Sequence, residues 1–257
     1  MNIKSKVLIS CAAALLTSSE AIASPLWGQD FDSGAPGQSV TGAPIGWVHS
    51  YGELKIDASP HPGWTGNAIV AGQSSQSPEN QGFAQASVVL PSLPTSGTLA
   101  VTFDAWAHSA SSAGGFVYLS ASSGELAGIQ AWSNCCVNNV WLLYGRPAFT
   151  GQPTTFEYDS GSNFLRDTTA HVAIYLDYDA HQFWANWQGA SQSFITPKFT
   201  FVGNPQLATL TVGTYLSTGR VDFDNFVVSS VPEVTSGQLL VVGMLGTFAA
   251  VARRRRR

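Results

Sequence analysis

The stretch "HVAIYLDYDAHQFWANWQGA", His171 to Ala190, decides the fold class. Val172, Ile174, Leu176 and Tyr178 recur at every second position, with His171, Ala173, Tyr175 and Asp177 between them. Side chains alternate along a strand, so the apolar set marks a buried face and the intervening set its reverse. Asp179-Ala180 supplies a turn, after which Phe183, Ala185 and Trp187 oppose Trp184 and Asn186. Two alternating runs joined by a short polar break make a β-hairpin.

The same pattern extends outward from the hairpin. In "TLAVTFDAWAH" (Thr98 to His108), Val101, Phe103, Ala105 and Ala107 share one face, and Thr102, Asp104, Trp106 and His108 the other. "ATLTVGTYL" (Ala208 to Leu216) and "RVDFDNFVV" (Arg220 to Val228) repeat it, and Gly, Pro, Ser and Asn clusters separate the runs. No amphipathic helix is predicted between Ser24 and Ser230. No fixed period of self-similarity occurs, which excludes a propeller or solenoid. The expectation is an all-β, two-sheet antiparallel sandwich over residues 24–230. Its roughly 207 residues lie within the range where one all-β domain forms.

The two ends read differently. Met1 to Lys6 carries two lysines, Val7 to Leu16 is almost wholly apolar, and Ala21-Ile22-Ala23 precedes Ser24-Pro25. That order is a secretory signal peptide, residues 1–23, cut between Ala23 and Ser24. The C-terminal segment, residues 231–257, contains Pro232-Glu233, an apolar run from Leu239 to Ala252, and Arg253, Arg254, Arg255, Arg256 and Arg257. Fourteen residues of helix span about 21 Å. A bilayer core is about 30 Å thick, so this is a short transmembrane helix, with the arginines held on the cytoplasmic side.

Charge narrows the partners. Ser24 to Ser230 holds five basic residues (Lys55, Arg146, Arg166, Lys198, Arg220) against fourteen acidic ones, a net −9, whereas the whole chain is −4. Such a body repels nucleic acid and anionic surfaces. With export, this excludes a nucleic-acid role for the arginine tail.

Searching for chemistry returns little. There is no H-E-x-x-H, no G-x-S-x-G, and the five histidines have no metal-ligand spacing. No catalytic residue is assigned. A pair of carboxylates from distant strands would still serve a glycosidase, so enzyme status stays open, leaning against. Aromatic content points instead to binding. Trp106, Tyr175 and Trp184 fall on the polar faces of their strands, beside Asp104, Asp177 and Asn186, and Trp132 and Trp141 flank an unusual loop. Sugars are held by flat apolar rings next to hydrogen-bonding groups. The competing reading places these aromatics in a core. Within "AWSNCCVNNVWLLYGRPAF" (Ala131 to Phe149), adjacent Cys135 and Cys136 have Cα atoms about 3.8 Å apart. A vicinal disulfide there would be strained. Two buried thiols, or pairing with another molecule, are the alternatives.

Two resemblances add to this reading. "DFDSGAPGQSVTGAPIGW" (Asp30 to Trp47), the hairpin and "VDFDNFVVS" (Val221 to Ser229) resemble the opening, middle and closing strands of concanavalin A-like and carbohydrate-binding-module jelly rolls. The resemblance implies a jelly roll, with a structural calcium between the first and last strands held by Asp30 and Asp224. The competing reading is that these are turn and edge residues. The "E-x-D-x-x-E" strand of laminarinase-like jelly rolls is absent; the nearest stretch, "ELKID" (Glu53 to Asp57), has other spacing. The C-terminal order resembles the PEP-CTERM sorting signal, with Val234 where that family usually has a second proline. The resemblance implies an exosortase as partner, an inner-membrane intermediate, and display at the outer surface or in the extracellular matrix of a Gram-negative bacterium, in association with exopolysaccharide and biofilm. The expected function is non-catalytic binding or organisation of exopolysaccharide. A glycan-cleaving enzyme and a purely structural matrix or adhesin component are the alternatives.

Overall fold

A computed structural model describes residues 24–41, 44–52, 54–58, 61, 64–72, 84–107, 114–133, 139–159, 167–189, 193–214 and 220–232. The signal peptide, Glu233, the apolar run 239–252, Arg253 to Arg257, Cys135 and Cys136 lie outside these. Among the described residues no helix is long and apolar enough to cross a membrane.

The strands in chain order are β1 (Ser24–Gln29), β2 (Val48–Tyr51), β3 (Lys55–Ala58), β4 (Asn67–Gly72), β5 (Ala84–Val89), β6 (Thr98–Ala107), β7 (Gly114–Ala121) and β8 (Gly124–Ser133). They continue as β9 (Asn139–Gly145), β10 (Phe156–Asp159), β11 (Thr169–Asp177), β12 (Gln182–Gly189), β13 (Ser193–Ile195), β14 (Phe199–Thr200), β15 (Thr209–Thr214) and β16 (Arg220–Val231). One single-turn helix, α1 (Pro147–Thr150), interrupts them. Two sheets form. One runs β13-β12-β11-β6-β16-β4-β3, with β1 added beside β16 and β14 beside β12; the other runs β10-β9-β8-β7-β15-β5-β2. The strand pairs in register are antiparallel, and the non-consecutive order, β11 beside β6 and β6 beside β16, is that of a jelly-roll sandwich. The fold class expected from alternation is the one observed.

Alternation also builds the core. Val101, Phe103, Val172, Ile174, Phe183, Ala185 and Trp187 of the first sheet meet Val117, Leu119, Ile129, Leu143 and Val212 of the second. Phe103 stacks on Phe226 at 5.3 Å, and Phe31 and Trp47 pack beside it. The two sheets approach so closely at Gly115 that a Cβ there would lie 2.8 Å from the Val221 Cβ. Burying a large apolar side chain contributes about 1.5–3 kcal/mol, so each ring of this aromatic layer is a substantial contributor to the stability of the sandwich.

β16 departs from simple alternation. Val221 and Phe223 point into the core, and so do Phe226 and Val228, which is one residue out of step. The extra residue is absorbed at Asp224-Asn225, where Asn225 takes a positive φ of 54°. Asparagine tolerates this left-handed backbone better than most residues, and the result is a bulge that turns an additional polar side chain outward. Alternation alone could not place Asn225.

Candidate functional site

Strand register assembles the outer face of the nine-stranded sheet. Asp104 on β6 lies opposite His171 on β11, which lies opposite Gln188 on β12. The next row is Thr102, Ala173 and Asn186, and the next Ala100, Tyr175 and Trp184. Since Phe103, Val172 and Trp187 fill the core, these rows face away from it. Ala173 is the small residue at the centre, and around it opens a depression of about 240 Å³. Thr102, Asp104, His171, Asn186 and Gln188 line it, and the bulged Asn225 closes its β16 side.

The lining is pre-arranged by hydrogen bonds. His171 Nδ1 bonds to Asp104 Oδ1, and Asn225 Nδ2 donates to Asp104 Oδ2 at 2.9 Å. A carboxylate can only accept, so Nδ1 carries the proton and, in the neutral imidazole, Nε2 is left as an acceptor. The His171 side chain is 66% exposed while that of Asp104 is 16% exposed, so the carboxylate sits at the floor and the imidazole at the rim. Asn186 Nδ2 donates to the Tyr175 hydroxyl at 3.4 Å.

An aromatic bank borders the depression on the side of the third row. Tyr175 stacks on Trp184 with centroids 4.9 Å apart and an 11° interplanar angle, and Lys198 Nζ sits 4.3 Å from the Trp184 ring centre. The opposite border is a sealed cluster. Trp106 stacks on His61 at 4.3 Å and 9°, and Trp64 meets His61 edge-on at 5.0 Å. His61 Nε2 bonds to the fully buried Asp222 Oδ2 at 2.6 Å, and Trp64 Nε1 donates to Thr169 Oγ1 at 2.8 Å.

Of the aromatics expected to meet a ligand, Tyr175 and Trp184 stand on the open face. Trp106 is on the same face, but His61 and Trp64 cover it and leave it 7% exposed. Trp141 points into the core from β9, 6.2 Å from Trp187 and 2% exposed. Neither can stack a sugar. Trp132 belongs to β8, and its side chain lies outside the description. Gln188 and Asn225 were missing from the sequence reading. Gln188 could have been found by extending the β12 alternation two residues, whereas Asn225 depends on the bulge.

The expected calcium ligands sit at the β16 side of the face. Asp30 is exposed and its Oδ1 accepts from Asp32 N at 3.2 Å; Asp32 Oδ1 accepts from Asn67 N at 2.8 Å. Gly66, at φ +86°, makes room for this carboxylate, because a Cβ there would fall 1.7 Å from Asp32 Oδ1. Asp224 is fully buried. Its Oδ1 accepts from Asn225 N at 2.7 Å, and its Oδ2 has no hydrogen-bond partner. Burial pushes its pKa up to about 8, opposed by the Asn225 N–H and reinforced by the charges of Asp104, Asp32 and Asp30. Calcium takes six to eight oxygen ligands. Among the described residues no three His, Cys, Asp or Glu side chains converge to hold a metal. The orphaned Oδ2 is one donor, and one donor does not make the site.

No protein-family model matches the chain, and no curated protein sequence does. Solved structures do. The chain is similar to the T. cruzi calreticulin globular domain, with 12% identity, 91% of this chain and 98% of that one covered, and a TM-score of 0.58. It is similar to an endo-1,3-β-glucanase from Streptomyces sioyaensis, with 11% identity, 81% and 96% covered, and a TM-score of 0.52. A legume lectin-like domain from Entamoeba histolytica aligns with 7% identity over 70% and 90% of the two chains, at a TM-score of 0.50. At such identities the likeness shows a shared fold, and fold alone does not fix function.

Proposed function

We propose that this protein binds glycan on the outer face of its nine-stranded sheet, without cleaving it, and serves to hold or organise polysaccharide outside the cell. The observation that carries the reading is the depression over Ala173, where Asp104, His171, Asn186, Gln188 and Asn225 converge beside the Tyr175–Trp184 bank. A concave site with a few fixed polar groups next to an aromatic surface suits a polyhydroxylated ring. The shared fold with a lectin-like domain supports it. Titration against a panel of oligosaccharides tests it. The reading expects at least one glycan to bind the wild type and to lose about tenfold in affinity with Asn186→Ala, since a lost polar contact to a ligand is worth about 1–1.5 kcal/mol. No binding across the panel would defeat it.

The fold shared with a glucanase supports a second reading, glycan cleavage. Asp104 and Asp224 are the carboxyl groups nearest the depression, but Asp224 is fully buried and cannot reach a glycosidic oxygen. Reducing-sugar release from a bound glycan would favour cleavage; binding with no release favours the lectin-like role. A structural matrix component is the outcome if no glycan binds at all.

Export and sorting belong to the same proposal. The signal-peptide pattern of residues 1–23, and the Pro232-Glu233, apolar and arginine order of residues 231–257, support passage through the inner membrane, trimming by an exosortase and display at the outer surface. Tags at both ends follow it: an arginine tail retained on the surface form would overturn trimming. For the structural calcium expected of Asp30 and Asp224, the described residues bring no three His, Cys, Asp or Glu side chains together, so it stays outside the proposal.

A further inference from the structure

The depression has unequal ends, and this bears on which part of a glycan it takes. Past Asp104 and His171 the outer face is walled. Trp106 is the next outward residue on β6, and its register partner on β11 is Thr169. Trp64 donates to the Thr169 hydroxyl, and His61, flat on Trp106, bonds to Asp222 on β16. One cluster of rings therefore stands across β16, β6 and β11. The sides are set by Asn225 on β16 and by Asn186 and Gln188 on β12. The other end is low. Two residues before Thr102 on β6 is Ala100, 4% exposed and offering only a methyl group, with Tyr175 as its register partner on β11.

One aromatic face is turned towards that low end. Neighbouring strands lie about 4.8 Å apart, and the Tyr175 and Trp184 centroids are 4.9 Å apart at an 11° interplanar angle. The two rings thus stand side by side across β11 and β12, and Tyr175 covers the indole on its β11 side. Lys198 Nζ lies 4.3 Å from the indole centre. Lys198 immediately precedes β14, which pairs with β12 on the side away from β11, so it covers the other face. Both faces of Trp184 are taken. The far face of Tyr175 has the methyl group of Ala100 beside it.

We infer that the depression takes the end of a glycan chain, with the terminal sugar over Ala173 and the next sugar over Ala100, its ring against Tyr175. The inference rests on the glycan-binding reading above and adds to it which part of a polysaccharide is held. Successive outward residues of a strand are about 7 Å apart, which separates the two floors by enough for one further sugar. The C–H groups on a pyranose face pack against an aromatic face. A chain continuing the other way runs into Trp106, His61 and Trp64. That wall excludes and does not attract. Trp184 and Lys198 are positioning residues, which hold the Tyr175 ring upright without touching sugar.

The test is calorimetric titration of the whole chain with β-1,4-linked glucose, galactose and N-acetylglucosamine, each as monomer, dimer, trimer and hexamer. In a series that binds, affinity rises about three- to tenfold from monomer to dimer, the scale of one stacked ring. It is then level from trimer to hexamer, with one protein per chain. Tyr175→Ala removes the gain. Ala100→Leu, which fills the low end, removes it as well, and its retained monomer affinity shows that the depression is still formed. Trp184→Phe, which keeps a ring behind Tyr175, retains the gain, whereas Trp184→Ala loses about half of it. Affinity that goes on rising to the hexamer, or a gain that survives Tyr175→Ala, would overturn chain-end recognition while leaving glycan binding standing. Silence of all three series, monomers included, would overturn it too, and with a blank oligosaccharide panel would defeat the binding reading itself.

Discussion

Asp104 and Trp106 are two residues apart on the same face of β6, yet they sit in opposite environments. At Trp106 the outer face is sealed: His61 lies flat on the indole, Trp64 stands against His61, and Asp222 beneath them is fully buried. At Asp104 the face is open, with His171, Asn186 and Gln188 around the small Ala173. The sealed end behaves as a second, miniature core added to the outside of a sheet. The open end keeps its polar groups aimed outward and hydrogen-bonded to one another. An aromatic residue on a polar face is thus not evidence of a ligand until its covering is known, and the polar neighbours it marks are the more informative signal.

The sharpest way to break this contrast is His61→Ala. It removes the stack on Trp106 and leaves Asp222 buried without its imidazole partner. Breaking one side of a buried pair costs about 3–5 kcal/mol, read as a lower urea midpoint with an unchanged slope. The double variant with Asp222→Ala is expected to cost less than the two single losses together, because the residues share one interaction. A His61→Ala protein as stable as wild type would mean that the cover is not packed as described. Glycan affinity in this variant stays within about threefold of wild type if the two ends of the face are energetically separate, as sites without shared partners usually are.

How much of this was legible beforehand follows the same division. Period-2 alternation in His171–Trp187 and Thr98–Ala107 identified β6, β11 and β12, their buried faces and the turn at Asp179-Ala180. It also put His171, Tyr175, Trp184 and Asn186 on the outer side. The sealing of Trp106 was not legible, since it depends on a histidine 45 positions away reaching over β16 to Asp222. Trp141 follows the ordinary rule that large aromatics are buried on average. In "VDFDNFVV" strict alternation would put Asn225 with Val221 and Phe223; the packing of Phe226 beside Phe103 and Phe31 forces the extra outward residue instead. Around the calcium expected of Asp30 and Asp224, the described residues bring no three His, Cys, Asp or Glu side chains together. Nearness of first and last strands was anticipated, but Asp224 is buried beside the bulge and one Asp32 oxygen accepts from Asn67 N.

Asp224 offers a second, gentler test, acting on the margin of the open end. Its folded pKa, about 8, lies above the ordinary carboxylate value of 3.8, so the folded state keeps a proton that the unfolded chain releases. Between about pH 4 and pH 8 the unfolded state binds fewer protons, and stability falls as pH rises through that window. Asp224→Asn removes the titrating group while keeping an oxygen for the Asn225 N–H. The variant should flatten the pH dependence and be more stable than wild type at pH 8 by about 1–3 kcal/mol, the scale of an unsatisfied buried polar group. Parallel stability curves for the two proteins would show that Asp224 is ionised, or solvated, throughout.

Smaller again is Tyr175→Ala at the aromatic bank. Removing the ring frees the Trp184 face it stacks against and takes away the hydroxyl that Asn186 reaches. A stacked aromatic pair is worth about 0.5–1.5 kcal/mol beyond its buried area, and a modest loss of stability of that size is expected. Binding tells the two borders apart. A bank that contacts ligand loses affinity for glycan on this substitution, whereas His61→Ala at the sealed border does not.

Gln188→Ala is the smallest change to the fold and the cleanest probe of the open end. Gln188 sits in the row of Asp104 and His171, on β12, and lines the depression at the side away from the acidic group. Its backbone pairing with His171 does not depend on the side chain, so stability should move by no more than about 0.5 kcal/mol, as for most surface substitutions. A ligand that spans the depression from Asn225 to β12 must end against this amide, so affinity should fall several-fold while the melting curve stays in place. Loss of affinity with an unmoved melting curve would assign Gln188 to ligand recognition. Unchanged affinity would confine the ligand to the half of the depression nearer Asp104.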